Sequence, residues 1–348
     1  MQRLATTLIA FAALALPGVA MAAAPIALPK GKAWEHKQTK LKVPAVVDGF
    51  ARYEAADYGS SQSDVMFQYR DTVSETRVTL YLYRAGSASV PIWADRAESS
   101  IAANAAAYGT LDKDGRRFSF YTPWSNAPNS AVRVTFPLSG KGVSATGLML
   151  AKRGEWLIKI RMTSNRLDAA SVEARLASFF AGLAFKPDKV GAEPAYAIQL
   201  CPDRLPATEA SLVERGKDDG VMAGALINSI APMPAKNKPE RAPVYCRDAA
   251  SEGLYGVYRP GGAMDRYLLA IGDGGVTMTV GRDALGELSG QREARFSPTL
   301  LTAERAVGFA PYTALPSPKQ VMRSLNAAKP IWARSRLPGK EKEIQIIM

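Results

Sequence analysis

Residues 144–183 constrain the fold more than any other part of the chain. Leu148 and Leu150 alternate along a first strand, and Lys152-Arg153-Gly154-Glu155 supply a turn. Gly154 can take the positive φ that a tight turn often needs. Trp156, Ile158, Ile160 and Met162 share one face of a second strand, with Lys159 and Arg161 on the other. Val172, Leu176, Phe179, Phe180 and Leu183 then recur at helical spacing. A hairpin that runs into an amphipathic helix closes a core when the helix lies across the sheet.

The same alternation runs upstream. Val65, Phe67 and Tyr69 alternate, residues 71–75 turn the chain, and Val78, Leu80 and Leu82 oppose Thr79, Tyr81 and Tyr83. Pro91 suits the first turn of a helix; Trp93, Ala97, Ile101 and Tyr108 fall on its inner side, and Gly109 ends it. Phe118, Phe120, Val132, Val134 and Phe136 predict two more strands. Residues 41–186 thus read as one α+β domain, an antiparallel sheet flanked by helices. Tyr81 and Tyr83 form either a binding platform or the second face of a two-sided core, and the core is the expectation. Trp124, in the proline-flanked loop 122–130, is a candidate partner contact; the alternative is a plug beneath that loop.

A resemblance enters here. Gly49-Phe50-x-Arg52, Asp57-Tyr58, Val65 through Tyr69-Arg70 and Val78-Thr79-x-Tyr81-x-Tyr83 resemble a group of uncharacterised exported bacterial proteins. Strands over 143–151 and 156–162 with a helix over 169–185 resemble the closing half of the PsbP/Mog1-like fold. The resemblance ends near residue 186. It implies an antiparallel sheet sandwiched by helices and a binding or accessory role, and it carries over no functional residue.

Residues 187–194 have the composition of a linker. A second, smaller α+β domain is expected over 195–328. Its cysteines, Cys201 and Cys246, are expected to pair, closing a ring that stabilises the fold by about 4 kcal/mol. A free nucleophilic or metal-binding thiol is the alternative. Pro232, Pro234, Pro239 and Pro243 exclude regular structure between them. Lys236, Lys238 and Arg241 in that exposed loop are candidate partner contacts. Strands over 244–246, 254–259, 266–271 and 276–281, separated by Pro260-Gly261-Gly262 and Asp273-Gly274-Gly275, predict an antiparallel meander. Ser317-Pro318-Lys319-Gln320 is a capping box for a short helix that turns Val321, Met322 and Leu325 inward. Residues 329–348 form a basic tail, along an edge strand or mobile. Residues 23–40 form a basic arm around Trp34 and His36, read as a leader packed onto the first domain; contact with an anionic membrane is the alternative.

Residues 1–22 read as an export signal. Arg3 precedes an apolar run, Pro17-Gly18 breaks it, and Ala20-Met21-Ala22 is a cleavage site, so a periplasmic or secreted product is expected. The apolar run is shorter than the roughly 20 residues a span requires, and no other segment reads as transmembrane. The balance of 44 basic and 32 acidic residues, net +12, suits an envelope protein or an anionic envelope component; simple solubility is the alternative. No nucleic-acid module is present.

Few catalytic tools are visible. His36, the single histidine, lies in the arm and leaves no positioned base for a Ser-His-Asp or Cys-His arrangement. The Gly-x-Ser-x-Gly elbow, the Ser-x-x-Lys motif and a phosphate loop are absent. Asp112-Lys113-Asp114-Gly115 lacks the ligands of a calcium loop. No cofactor or metal is expected. The expected function is a non-enzymatic binding or accessory role in the bacterial envelope. The alternative is a hydrolase acting on glycan or peptide through carboxylates alone.

Overall fold

The computed structural model describes residues 23–189, 191–213, 242–282, 295–325, 327–337, 339 and 344–346. The first sheet is antiparallel. Its main path runs, in spatial order, Ala24–Pro25, Phe50–Asp57, Asp64–Asp71, Thr76–Arg84, Trp156–Ser164, Ala145–Arg153, Ala131–Ser139 and Thr110–Leu111. Arg117–Tyr121 also pairs with Ala131–Ser139, and Val46–Val47 with Phe50–Asp57. The hairpin turns at Gly154, at φ +59°. Its second strand pairs along its whole length with Thr76–Arg84, setting Ile160 against Leu80 and Lys159 against Tyr81.

Helix α1 spans Val90–Asn104 and helix α2 spans Ala169–Gly182. The carboxylate of Asp168 caps α2 by accepting from the Ser171 amide. Val172, Leu176 and Phe179 of α2 share a core with Phe67, Leu80, Ile158 and Ile160. Trp34 of the N-terminal arm closes that core together with Leu41 and Val43, which follow the arm. His36 is wholly buried beside it. Its Nε2 donates to the Gln62 carbonyl at 2.7 Å, so Nδ1 is left to accept from Thr39. Burial holds this imidazole below its usual pKa, against the pull of the Gln62 hydrogen bond.

The opposite face meets α1 over one half, where Ile92, Trp93, Ala97 and Ile101 pack with Val132, Val134, Leu148 and Leu150. Tyr108 is exposed rather than inward. The α-helix stops at Asn104, and a 3₁₀ turn over Ala105–Ala107 carries the chain off its helical face.

The second sheet runs Gln199–Leu200, Tyr245–Arg247, Tyr255–Pro260, Tyr267–Ile271, Val276–Arg282, Phe296–Leu301, Arg305–Phe309, Pro330–Ser335 and Ile344–Ile346. Only its first pair is parallel. The last two strands come from the basic C-terminal segment. Cys201 and Cys246 are disulfide-bonded, with Cα atoms 5.0 Å apart. Helix α3, Pro318–Leu325, buries Val321 and Leu325 against this sheet. Its capping box is half formed. Ser317 Oγ accepts from the Gln320 amide at 3.3 Å, while the Gln320 side chain reaches the backbone of Ala210 instead.

The expected α+β architecture is corrected by these sheets. Strand makes up 41% and helix 16% of the structure, with three helices among the described residues, so the fold is mostly β. The physical reason lies in the coverage of the first sheet. Tyr83 and Ala85 share a core with α1 and with Tyr258, Leu268 and Ala270 of the second sheet. The alternating strands announced two buried faces. A second sheet, as well as helices, supplies the cover.

Candidate functional site

The second sheet is fixed over part of the first by a polar seam made largely of turn backbone. Lys159 Nζ donates to the Asp273 carbonyl at 2.7 Å and lies 3.3 Å from its carboxylate. The same ammonium sits 4.7 Å from the Tyr81 ring centroid and 5.3 Å from that of Tyr83. Arg96 of α1 donates to the carbonyls of Gly272 and Gly253. Asp95 accepts from Arg247 at 3.0 Å and from the Tyr258 hydroxyl at 2.6 Å. Ser60 and Ser63 donate to Glu304 at 2.7 and 2.6 Å. The turn bearing Asp273 needs glycine at 275. Its φ is +93°, and a Cβ there would stand 2.9 Å from the Tyr83 ring.

Charges at the seam titrate apart. Burial raises the Asp64 carboxyl to about 7; the Lys159 ammonium lowers it, and Asp57 and Asp273 push it further up. Burial also opposes ionisation of Asp273, yet Lys159 and Arg161 outweigh it and hold that carboxyl below its usual range.

Beyond the seam, a strip of the same face stays open. The register places Arg70 directly opposite Arg77, Gln68 opposite Thr79, and Thr79 opposite Arg161. Residues opposite one another share a face, so all three guanidiniums rise from one side of three adjacent strands. Arg70 and Arg77 are exposed. Arg70 lies over the Tyr53 ring at 5.3 Å, and Arg161 reaches Asp273 only at 3.9 Å. Among the described residues, Arg70 and Arg77 form no ion pair. Tyr53 and Tyr58 are 42% and 47% exposed, and they edge the strip. Tyr53 donates to Gln68, which in turn donates to Glu54 at 3.0 Å. The strip therefore combines fixed positive charge, amide and hydroxyl groups and two phenol faces. Like charges directly opposite on adjacent strands repel, so this arrangement costs the free protein stability and suits an anion lying across the strands.

The residues singled out from sequence fall elsewhere. Trp124 is half-buried; its Nε1 donates to the Phe185 carbonyl at 2.8 Å, and its ring stands against Phe180 at 5.7 Å. Its indole is thus engaged by its own domain. Lys236, Lys238 and Arg241 lie outside the described residues, as does the export signal with its cleavage site. Asp112 accepts from the amides of Asp114 and Gly115, closing a polar turn. Among the described residues, no three His, Cys, Asp or Glu side chains converge as metal ligands, and no helix is long and apolar enough to cross a membrane. The Arg70–Arg77 pair was not legible in the sequence: the hairpin pairs Asp71 with Thr76 and so sets Arg70 opposite Arg77, whereas a turn over 71–75 would have brought Thr76 there instead.

Comparison with family models, curated proteins and solved structures finds no match.

Proposed function

We propose that this chain is an exported binding protein whose first sheet presents a basic, tyrosine-edged strip to an anionic component of the cell envelope. The observation that supports the reading is the unpaired opposition of Arg70 and Arg77 on a sheet face that is otherwise covered. The disulfide fits a compartment outside the cytoplasm. Net charge of +12 favours capture of a polyanion from a distance, and screening by salt weakens it.

The reading is tested by mapping backbone amide shifts of the mature protein on titration with dextran sulfate, with neutral dextran as reference. Changes concentrated on Phe50–Asp57, Asp64–Asp71 and Thr76–Arg84, and fading as salt rises, are the expected result. Changes spread evenly over both sheets would overturn it.

A second reading has one observation in its favour. Asp64 and Asp273 both face Lys159 and titrate in opposite directions, the pattern of a general acid beside an ionised partner. A glycan or peptide substrate turned over by the native chain and spared by Asp64→Asn would establish the carboxylate hydrolase instead.

A further inference from the structure

On the second sheet, away from the seam and the open strip, a cavity of about 220 Å³ lies between α3 and the strands beneath it. Its walls include Met278, Phe309, Val321 and Leu325, all of them buried core residues. The cavity is thus a cleft, open to solvent on one side, whose floor is cut into the packed core. The polar groups on its wall are already matched. Tyr312 OH and Ser324 Oγ lie 2.9 Å apart, and Ser324 Oγ also donates to the Gln320 carbonyl at 2.9 Å. Among the described residues an occupant therefore meets mainly dispersion contacts, since these two hydroxyls are already engaged. The mouth has a different character. Lys329 is exposed there and brings a cation to the rim.

We propose that this cavity binds a small anionic amphiphile, with its hydrocarbon tail between Met278, Phe309, Val321 and Leu325 and its head at the Lys329 ammonium. Size sets the class of ligand. An apolar cavity of about 150 Å³ accepts benzene. The larger volume here suits a short acyl chain, too small for both tails of a bilayer lipid. Charge sets the polarity, because among the described lining residues Lys329 is the cation. The site is independent of the arginine strip on the first sheet, and either can fail without the other.

The test uses the full mature chain carrying ¹³C-methyl methionine, with the Met278 resonance identified through Met278→Leu. Sodium octanoate is titrated against 1-octanol, which offers the same chain length without the charge. Saturable movement of the Met278 methyl with octanoate is expected. Ala328→Phe, which fills the cavity, should weaken octanoate at least tenfold while keeping a cooperative thermal transition. Ala310→Phe fills it from another wall and takes over if the first variant does not fold. Lys329→Glu should weaken octanoate about tenfold and change octanol less than twofold. A Met278 methyl unmoved at saturating octanoate would overturn the proposal. So would octanoate affinity unchanged in a folded cavity-filled variant, or equal loss of octanoate and octanol in Lys329→Glu.

Discussion

At the scale of single residues, two buried groups give the protein opposing responses to pH. His36 has a folded pKa below its usual 6.5, so the folded state binds fewer protons than the unfolded chain. Its contribution is present above that value and is lost as pH falls below it. Asp64 has the reverse sign. Its folded pKa of about 7 lies above the usual 3.8, so its contribution is complete below about pH 4 and is lost as pH rises through 7. Urea midpoints measured from pH 4 to 8 should separate the two. His36→Gln should remove the loss of stability on acidification below 6.5. Asp64→Asn should remove the loss on raising pH from 4 to 7. A wild-type pH profile unchanged in Asp64→Asn would show that Asp64 titrates as an ordinary surface carboxylate. A third buried group acts through charge pairing. Asp248 and Arg259 are fully buried with Oδ2 and Nε 3.1 Å apart, and Asp248 also accepts from the amides of Leu205 and Ala250. Asp248→Ala leaves Arg259 uncompensated in the interior and should cost about 3–5 kcal/mol in chemical denaturation.

At the scale of elements, the hairpin and α2 were legible because each signal was local. Gly154 marked the turn, alternation marked the strands, and the spacing of Val172, Leu176, Phe179 and Phe180 marked the helix. The end of α1 was not, because Ala105, Ala106 and Ala107 carry no apolar periodicity to show where α-helix tightens to 3₁₀. Nor was the destination of Gln320, whose side chain takes a partner 110 residues away. The turn carrying Asp273 was legible as a turn but not as the contact that seats one sheet on the other. Its glycines serve that contact directly, since Gly86 donates to the Gly275 carbonyl at 2.7 Å. Gly275→Ala would force a side chain into positive φ and against Tyr83. It should destabilise by about 1–3 kcal/mol in thermal or denaturant unfolding. A neutral result would mean that the turn can move off the first sheet without loss.

At the scale of the whole molecule, the residues that join the sheets lie far apart in sequence, and the acceptors are often main-chain carbonyls. Lys159 reaches residue 273, Arg96 reaches 272 and 253, and Ser60 reaches 304. No side-chain pattern advertises such acceptors, so strand alternation showed that two faces were buried without showing what buried them. The open strip is the remainder of that coverage. α1 and the second sheet take one part of the face, Arg70, Arg77, Tyr53 and Tyr58 occupy the part left uncovered, and half-buried Arg161 stands at the boundary beside Asp273. Its arginines were visible as residues, but only the register made them neighbours.

The central claim is that this remainder is kept basic for binding at the expense of stability. Calorimetric titration of dextran sulfate into Arg70→Gln/Arg77→Gln tests it most directly, beside the wild-type chain and a control of equal charge, Lys113→Gln/Lys186→Gln, whose exposed sites follow the far edge strand Thr110–Leu111 and helix α2. The account predicts that the strip variant loses about tenfold or more in affinity, as expected for one or two lost charge-assisted contacts, and melts no lower than wild type. The control should bind within about twofold of wild type, as rim charges far from a site do. Equal losses in the two variants, or a strip variant that binds as well as wild type, would contradict it.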